Sequence, residues 1–301
     1  MRAVTVRLVG GLGNQMHGYA FGRAIATRNQ ATLYLDVESG FLNDPHQRVY
    51  LLDRLPGLHA RLLPFRSKTG SARLLFKVGV KLRSACSRLL PLPLKLVVAE
   101  RAPWRYREDI HHARYFCHPC FMGYWSSYRY YQEIEEELRR ELEPPLPTQP
   151  AVLELLSRIR SVPSCFIHWR SYNEEKGADR PSLRSYYKDA IGNVSARHPG
   201  ISFFVFSDDP AGARKQFPFS SGNVVYVDLP EAQGNMQSLA DFYLMHACDH
   251  AIIGDSTFSW WAAWLSDREG KTVVAPRGLS PWGEDWLPPH WVALGINGGE
   301  E

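Results

Sequence analysis

The sequence predicts an α/β protein made of two lobes, each a parallel sheet covered by helices. Three observations predict this class. The chain has 301 residues, about twice the length of an ordinary domain. Apolar segments of strand length alternate with longer segments of helical periodicity in both halves. A proline cluster (Pro144, Pro145, Pro147) separates the halves, so we expect lobes over residues 1–146 and 147–301.

The N-terminal half begins with a strand, a glycine turn, a helix and a second strand. We expect the first strand over Val4–Val9, the helix over Tyr19–Arg28 and the second strand over Thr32–Leu35. Further along, the pattern predicts a strand over Phe116–Trp125 and a helix over Tyr131–Leu142. Such alternation is typical of βαβ units with parallel strands.

The C-terminal half alternates more regularly. In chain order we expect helix Ala151–Arg160, strand Ser164–His168, helix Leu183–Ala196, strand Ile201–Phe206, strand Val224–Val227, helix Leu239–Cys248, strand His250–Ile253, a helix from Phe258 and strand Thr272–Ala275. Open parallel sheets bind ligands at the carboxyl ends of their strands. The residues that follow these strands are therefore the first candidates for a binding site.

Composition limits the classes of function. A net charge of +4 is too small to indicate a nucleic-acid-binding protein, so we expect no nucleic-acid partner. No run of eighteen apolar residues predicts a membrane-spanning helix. Five cysteines cannot all pair, and no signal peptide precedes the first strand, so we expect a cytoplasmic protein.

The segment Arg61–Lys95 is strongly basic, with nine Lys or Arg and no acidic residue. Leu, Phe and Val alternate with these cations at helical spacing. The segment could lie on an anionic membrane surface, which would make the protein peripheral on the inner face of the membrane. The alternative is a solvated helical face of the first lobe.

The turn Gly10–Asn14 joins a strand to a helix. Glycines there allow the backbone to approach a ligand, and the start of a helix offers free N–H groups to an anion. A nicotinamide-dinucleotide site would need a third glycine where Met16 stands, although Asp36 lies about where a ribose-binding acid would be. An oxidoreductase and a plain tight turn therefore remain alternatives here.

A second such turn, Gly254–Phe258, joins the apolar strand at His250–Ile253 to an apolar helix. Ser256 and Thr257 suit a helix cap and donors to a phosphate, and the two functions are compatible. Trp260 and Trp261 follow them, and we expect these rings in the core.

Polar residues also follow two other predicted strands: Arg170 follows Ser164–His168, and Ser207–Asp209 follow Ile201–Phe206. Arg170 can grip two phosphate oxygens with its planar fork, or it can form an ordinary surface salt bridge. Ser207, Asp208 and Asp209 can accept from a nucleotide, or an aspartate among them can cap the next helix.

The chain lacks an Asp-x-Asp triplet, so no metal is expected. The lone Cys117–Cys120 motif is expected to be two reduced thiols.

Together these segments resemble the bacterial α-1,2-fucosyltransferase family. The resemblance covers residues 1–28 and 119–276 and is weak between 41 and 114, where acceptor contacts are expected. It implies a GT-B-like fold, in which two Rossmann-like lobes face a cleft. The motifs that carry it are GGLGNQM at Gly10–Met16, GYW at Gly123–Trp125, His-x-Arg at His168–Arg170, FSDD at Phe206–Asp209, LMHAC at Leu244–Cys248 and STFSWWAAWL at Ser256–Leu265.

The resemblance implies an inverting enzyme that transfers L-fucose from GDP-β-L-fucose to the 2-hydroxyl of a galactose-containing glycan, with no required cofactor. Arg170 would stabilise the departing phosphate, and Glu174, Glu175 and Asp179 are the candidates for a general base. The implied donor contacts are Gly11, Gly13, Asn14, His168, Arg170, Ser207, Asp208, Asp209, Ser256, Thr257 and Phe258.

Three positions depart from the family pattern. The family's His-x-Arg-Arg-Gly-Asp-Tyr is here the segment His168–Glu174, without the second arginine and the aspartate. Its Asn-Ser-Thr begins here with Asp255, and its Met-Phe-Gln reads Met16, His17, Gly18, where His17 either faces the acceptor or packs in the helix. These changes leave three alternatives: another GDP-deoxyhexose donor, another linkage, or a nucleotide-sugar-binding protein without catalysis.

Overall fold

The computed structural model describes residues 2–42, 44–63, 82, 85–102, 105–170, 181–217, 223–229, 235–266, 268–278 and 284–296. The chain divides into two compact units. Unit 1 comprises Met1–Leu142 and Pro281–Trp286, and unit 2 comprises Glu143–Ser280 and Leu287–Glu301. Each unit is built around its own parallel sheet, which confirms the predicted α/β class.

Unit 1 contains a five-stranded sheet in the order β3-β2-β1-β5-β4, with every pair parallel. Its strands are β1 Ala3–Arg7, β2 Thr32–Asp36, β3 Arg61–Leu62, β4 Val97–Ala99 and β5 Cys120–Met122, and its helices are α1 Leu12–Asn29, α2 Glu108–His112 and α3 Glu135–Glu141. Helix α1 begins directly at the glycine turn, about two turns earlier than the sequence pattern predicts.

Helix α1 packs closely on this sheet because glycines line its inner face. A Cβ on Gly18 would lie 2.9 Å from a methyl of Leu8, and one on Gly22 would lie 2.8 Å from a methyl of Val6. Farther along α1, Phe21 stacks on Trp125 with ring centroids 4.2 Å apart and an interplanar angle of 8°. The apolar core of unit 1 thus lies between α1, the sheet and the segment that follows β5.

Unit 2 contains a six-stranded parallel sheet in the order β11-β10-β9-β6-β7-β8. Its strands are β6 Ser164–Trp169, β7 Ser202–Ser207, β8 Val224–Tyr226, β9 His250–Ile252, β10 Val273–Arg277 and β11 Val292–Gly295, and its helices are α4 Pro150–Arg160, α5 Pro181–Arg197, α6 Pro210–Gln216, α7 Asn235–Ala247 and α8 Thr257–Leu265. Each predicted strand of this half is present within a few residues.

Two predicted elements of unit 1 are shorter than expected. The strand predicted over Phe116–Trp125 forms only at Cys120–Met122, because the backbone amides of Tyr124 and Trp125 donate to the carboxylate of Glu100 rather than continuing a ladder. Trp125 also takes a positive φ of 54°, which no regular strand allows. The helix predicted over Tyr131–Leu142 is preceded by two 3-10 turns and begins at Glu135.

A short segment near the C-terminus belongs to unit 1. The carboxylate of Asp285 pairs with Arg129 at 3.1 Å, and its carbonyl accepts a hydrogen bond from Ser127. The chain then returns to unit 2 for β11. Within the described part of the chain, no helix is both long and apolar enough to traverse a bilayer.

Candidate active site

Three adjacent strands of unit 2 end at one edge of the sheet, and the predicted site residues follow them. Strand β6 lies between β9 and β7, and all three run parallel. Strand β6 leads to Arg170, β7 ends at Ser207, and β9 leads to the turn at Gly254. The sheet therefore brings three sequence-distant segments to a common carboxyl edge.

Arg170 and Asp208 face each other at this edge. The Nε of Arg170 lies 3.8 Å from Oδ2 of Asp208, and the two side chains are 46% and 36% exposed. An ion pair so exposed is screened by water and contributes little to stability. Among the described residues Arg170 makes no hydrogen bond, so its guanidinium N–H groups are available to a ligand.

Asp209 caps the helix that follows β7. Its Oδ1 accepts a hydrogen bond of 2.9 Å from the amide of Gly212, and its own amide donates to the hydroxyl of Ser207 at 2.9 Å. A Cβ on Gly212 would lie 2.1 Å from Oδ2 of Asp209, so the cap requires glycine there. Of the two interpretations of these aspartates, capping holds for Asp209, whereas Asp208 is left facing Arg170.

His168 is buried beside the same edge. Burial, and secondarily the charge of Arg170, lowers the pKa of its imidazole to about 3. The ring is therefore neutral at physiological pH. Its Nδ1 is buried and has no hydrogen-bonding partner among the described residues. The imidazole centroid lies 5.8 Å from the ring of Phe258, in the first turn of α8.

Tyr187 links the end of β6 to the turn after β9. Its hydroxyl donates to the carbonyl of His168 at 2.7 Å. A Cβ on Gly254 would lie 2.5 Å from that hydroxyl, so residue 254 must be glycine for the bond to form. The nearby charge of Asp255 adds to burial in raising the pKa of Tyr187. Sequence reasoning did not identify Tyr187, because its helix is distant from the Gly254 turn along the chain and no local pattern links the two.

Helix α8 begins at the turn without a side-chain cap. Ser256 takes the extended conformation of an N-cap residue, but its hydroxyl makes no capping hydrogen bond, and no acidic residue lies in the first turn. The hydroxyl of Ser259 instead donates to the carbonyl of Ser256 at 3.2 Å. Trp260 and Trp261 are fully buried, as predicted. The rings anchor the helix while its first turn remains at the edge of the sheet.

Asp241 is a largely buried acid to which sequence reasoning gave no role. It lies on α7, one residue before Phe242, whose ring centroid is 5.3 Å from that of Phe258. Burial raises the pKa of its carboxyl to about 7. The available sequence signal was a single acid within the apolar run Leu239–Met245, which is unusual for a core-facing helix.

In unit 1 the glycine turn is held in place by Gln15. Gly10 has a φ of 73°, which favours glycine, and Gly11 is the N-cap of α1. The buried amide of Gln15 donates to the carbonyls of Gly10 at 2.9 Å and Val49 at 2.8 Å. Its carbonyl oxygen accepts from the amide of Leu51 at 2.9 Å. Gln15 therefore stabilises the turn and is not exposed to a ligand.

The other glycine-turn residues differ in accessibility. Gly13 is buried, Asn14 is half-buried, and nothing lies within 4 Å of the position that a Cβ on Gly11 would take. His17 is fully buried, and its Nδ1 lies 3.0 Å from the Tyr131 hydroxyl. Of its two proposed roles, packing within the helix is the one the structure supports.

Asp36 does not have the geometry of a ribose-binding acid. Its Oδ1 accepts from the amides of Glu38 at 3.2 Å and Ser39 at 2.9 Å, and its Oδ2 accepts from the Ser39 hydroxyl. The carboxylate thus stabilises its own turn and is buried. This arrangement disfavours the dinucleotide interpretation of the glycine turn.

The family relationship follows from comparison with known proteins. The model of the family described as Glycosyl transferase family 11 matches residues 2–292. The chain belongs to glycosyl transferase family 11. It is similar to the Alpha-1,2-colitosyltransferase of Escherichia coli, with 29% identity over 98% of this chain and 99% of the relative. It is also similar to the Galactoside 2-alpha-L-fucosyltransferase Sec1 of Mus musculus, with 26% identity over 98% of this chain and 75% of the relative.

The fold comparison agrees with this assignment. The structure of an Arabidopsis thaliana FUT1 variant in complex with GDP matches with a TM-score of 0.52 and 14% identity, covering 90% of this chain and 70% of that one. At this identity the likeness concerns the fold alone. The GT-B-like α/β class is thereby confirmed, and the family 11 enzyme is a glycosyltransferase. The oxidoreductase alternative is removed.

Several predicted residues lie outside the described part of the family 11 chain. These are Glu174, Glu175 and Asp179, together with most of the basic segment Arg61–Lys95. Among the described residues, no cluster of three His, Cys, Asp or Glu side chains could hold a metal ion. Cys117 and Cys120 are not joined by a disulfide, and the thiol of Cys117 donates to the carbonyl of Lys95 at 3.0 Å.

Proposed function

We propose that this family 11 enzyme transfers L-fucose from GDP-β-L-fucose to the 2-hydroxyl of a galactoside, with inversion to an α-1,2 linkage. The observation that carries the proposal is the meeting of Arg170, His168 and the uncapped start of α8 at one sheet edge. A GDP-sugar carries a diphosphate between its nucleoside and its sugar, and this edge offers a cation and helix N–H groups to that diphosphate. The α-1,2-fucosyltransferases among its relatives support the sugar and the linkage.

The chemistry proposed for Arg170 is stabilisation of the leaving group. Cleavage of the bond between fucose and the β-phosphate leaves negative charge on the phosphate oxygens. Within the described part of the chain Arg170 donates no hydrogen bond and is only loosely paired with Asp208 at 3.8 Å. Its fork can therefore bind two phosphate oxygens as the charge develops. The first-turn amides around Ser256–Phe258 would add to this stabilisation.

We propose that the remaining donor contacts divide between the strand ends and the glycine turn. Asp208 would accept from a donor hydroxyl, whereas Asp209 and Ser207 hold the local backbone through the cap of α6. Neutral His168 can donate or accept one hydrogen bond. Gly11, Gly13 and Asn14 of unit 1 are proposed as further donor contacts; Gly11, which no neighbouring atom crowds, allows the closest approach of backbone.

We propose a transfer that needs no metal, because Arg170 and the start of α8 supply the positive potential that a leaving diphosphate requires. Glu174, Glu175 and Asp179 remain our candidates for the general base. An oxocarbenium-like transition state develops its positive charge before the acceptor is fully bonded, so this base contributes less than leaving-group stabilisation.

A second donor is favoured by one observation. The Escherichia coli relative that matches nearly the full chain is named a colitosyltransferase. Colitose is L-fucose without its 3-hydroxyl, so the two donors differ by one hydrogen-bonding group. A site built to bind that hydroxyl rejects the deoxy sugar by about 10⁴-fold, whereas an apolar site rejects the hydroxyl sugar by only about 10²-fold. The size of the preference therefore identifies the kind of pocket.

The test is a donor competition with the purified full chain. GDP-fucose and GDP-colitose are supplied with lactose as acceptor, with and without a chelator, and the product linkage is determined by NMR. We expect a strong preference for GDP-fucose, an α-1,2 product and no effect of the chelator. A preference for GDP-colitose would replace the proposed donor. Absence of GDP release with lactose or water would instead support a binding protein without catalysis.

A further inference from the structure

Unit 1 carries an exposed surface that the proposed reaction does not use. We call it the amino-edge patch and define it by Arg88, Leu89, Leu94, Lys95, Arg114 and Phe116. Its apolar members are unusually open: Leu89 is 89% exposed, Phe116 68% and Leu94 44%. Single exposed apolar side chains are ordinary, but three on one surface indicate a contact.

Two chain segments form the patch, and hydrogen bonds hold them together. The amide of Phe116 donates to the carbonyl of Pro93 at 2.9 Å, next to Leu94. The thiol of Cys117 donates to the carbonyl of Lys95 at 3.0 Å. Because these bonds join residues more than twenty positions apart, Phe116 and Leu94 are neighbours on the same surface.

A second set of bonds fixes the turn that presents Leu89. The buried hydroxyl of Ser87 donates to the carbonyl of Val97 at 2.9 Å and accepts from the Val97 amide at 3.0 Å. The ammonium of Lys95 donates to the carbonyl of Ser87 at 3.0 Å. Leu89, two residues beyond Ser87, is therefore held outward by a closed turn and does not fold onto the core.

The charge of the patch has one sign. Residues 85–99 and 113–122 contain no Asp or Glu, whereas Arg88, Lys95 and Arg114 contribute three cations. The guanidinium of Arg114 donates to the carbonyl of Arg28 at 2.7 Å. This bond fixes the position of the guanidinium, but a carbonyl is neutral and does not compensate the positive charge. Two segments that present leucine and phenylalanine among cations and contain no acid have the composition of surfaces that insert shallowly between anionic headgroups.

The patch lies at the opposite edge of the sheet from the glycine turn. Strand β4 begins at Val97 and β5 at Cys120, and both run parallel to β1, which ends at Arg7 before the turn. The residues before β4 and β5 therefore lie at the amino edge. A contact there leaves the carboxyl edge of unit 1 open.

We infer that the amino-edge patch docks unit 1 on the surface of an anionic lipid bilayer. Phe116, Leu89 and Leu94 enter the headgroup region, and Arg88, Lys95 and Arg114 bind lipid phosphates. A second copy of the chain fits less well, because a symmetric contact would place these cations against one another. The inference does not depend on which sugar the enzyme transfers.

The experiment measures co-sedimentation of the full chain with phosphatidylcholine vesicles, with and without phosphatidylglycerol. We expect binding only to the anionic vesicles, weakening as salt is raised. The double variant Leu89→Glu/Phe116→Glu should bind these vesicles at least about tenfold more weakly. Arg88→Gln should bind less tightly and depend less steeply on salt.

The matched control is Leu146→Glu, which alters a leucine of unit 2 that is 63% exposed. It should bind vesicles as the unaltered protein does. All variants should keep their circular dichroism spectrum, which shows that the fold is retained. Failure of the unaltered protein to bind anionic vesicles, or equal loss in Leu146→Glu, would overturn the inference. So would a dimer that Phe116→Glu dissociates while vesicle binding is unchanged.

Discussion

Each unit has a strand-to-helix corner whose helix begins without a side-chain cap, and different contacts surround the two corners. In unit 1 the corner is Gly10–Asn14, and in unit 2 it is Gly254–Thr257. Both lead into a helix without a side-chain cap and without an acid in its first turn. The unit 1 corner is held by the next residue of its own helix, Gln15. At the unit 2 corner, Gly254 packs against the hydroxyl of Tyr187 from another helix, and that hydroxyl donates to the carbonyl of His168 at the end of β6.

A third corner, at the start of α6, differs from these two because a side chain caps its helix. Helix α6 follows β7 at the same edge of the unit 2 sheet, and there Asp209 caps the first turn. A carboxylate in that position occupies an amide that a phosphate would otherwise bind. The contrast supports α8, and not α6, as the anion-binding helix of our proposal.

The largest expected effect concerns Arg170. Arg170→Ala should lower kcat by roughly 10²–10³-fold, the usual result of removing one donor that stabilises developing charge. Arg170→Lys should fall between, since it keeps the charge without the planar fork. Steady-state kinetics with circular dichroism measures both.

The control for Arg170 is Arg268→Ala. Arg268 pairs with Asp249 at 2.8 Å just before β9, at the amino edge of the same sheet, and is similarly exposed. Its loss should leave kcat unchanged. An undiminished rate in Arg170→Ala would remove Arg170 from the proposed machinery.

Gln15 tests the unit 1 corner. Gln15→Ala removes the partner of the buried Gly10 carbonyl, of the partly buried Val49 carbonyl and of the Leu51 amide, and should lower the free energy of unfolding by about 3 kcal/mol. Asn29→Ala is a matched change at the other end of α1, where a buried amide bonds to Ala113 and Tyr115. Urea denaturation should show losses in both variants.

Only the Gln15 variant should also weaken binding of GDP, as measured by calorimetry. If both variants bind GDP with equal affinity, the glycine turn does not contribute to the donor site.

Gly254 tests the unit 2 corner. Gly254→Ala drives a methyl against the Tyr187 hydroxyl and should destabilise the protein by about 1–3 kcal/mol. Gly192→Ala, in a helix with open space around it, should be neutral or stabilising. Thermal unfolding compares them. Adding Tyr187→Phe to Gly254→Ala should recover part of the loss; if it does not, the clash lies elsewhere.

Substitution at the capped corner, the start of α6, should change stability only slightly. Asp209→Ala removes one cap from a short helix and should lower the free energy of unfolding by about 1 kcal/mol. Asp209→Ser should restore most of it. Because the cap lies next to Asp208, affinity for GDP is measured alongside urea denaturation; a loss of binding much larger than the loss of stability would give Asp209 a ligand contact.

The smallest expected difference between the two units is the change in their stability at low pH. Burial lowers the pKa of His17 in unit 1 and of His168 in unit 2 to about 3. Each binds a proton more tightly unfolded, so each contributes stability that is complete above pH 6.5 and is lost as pH falls toward 3. Asp241, whose pKa burial raises to about 7, acts in the opposite sense.

Hydrogen exchange at several pH values reports the units separately. Protection should fall in unit 1 between pH 6.5 and 4, and it should fall less in unit 2, where protonation of Asp241 offsets the loss at His168. Loss confined to unit 2 would contradict the burial of His17.

The alternation of strands and helices in unit 2 could be predicted from sequence because each element carries its own periodicity over several residues. Unit 1 was harder. Strands β3 and β4 have two and three residues, too few to show a period, and β5 is shortened by the bonds between Glu100 and the chain after Gly123. A strand end set by a carboxylate twenty-four residues away leaves no local signal.

For the candidate site, the sequence by itself determined which segments follow the strands, and therefore that Arg170, Asp208 and the turn at Gly254 share an edge. Only the tertiary structure decided that Asp209 caps a helix, that Gly254 makes room for Tyr187, and that Leu89 and Phe116 lie on one surface. Periodicity is a property of neighbouring residues, whereas these three outcomes depend on atoms brought together by packing across the fold.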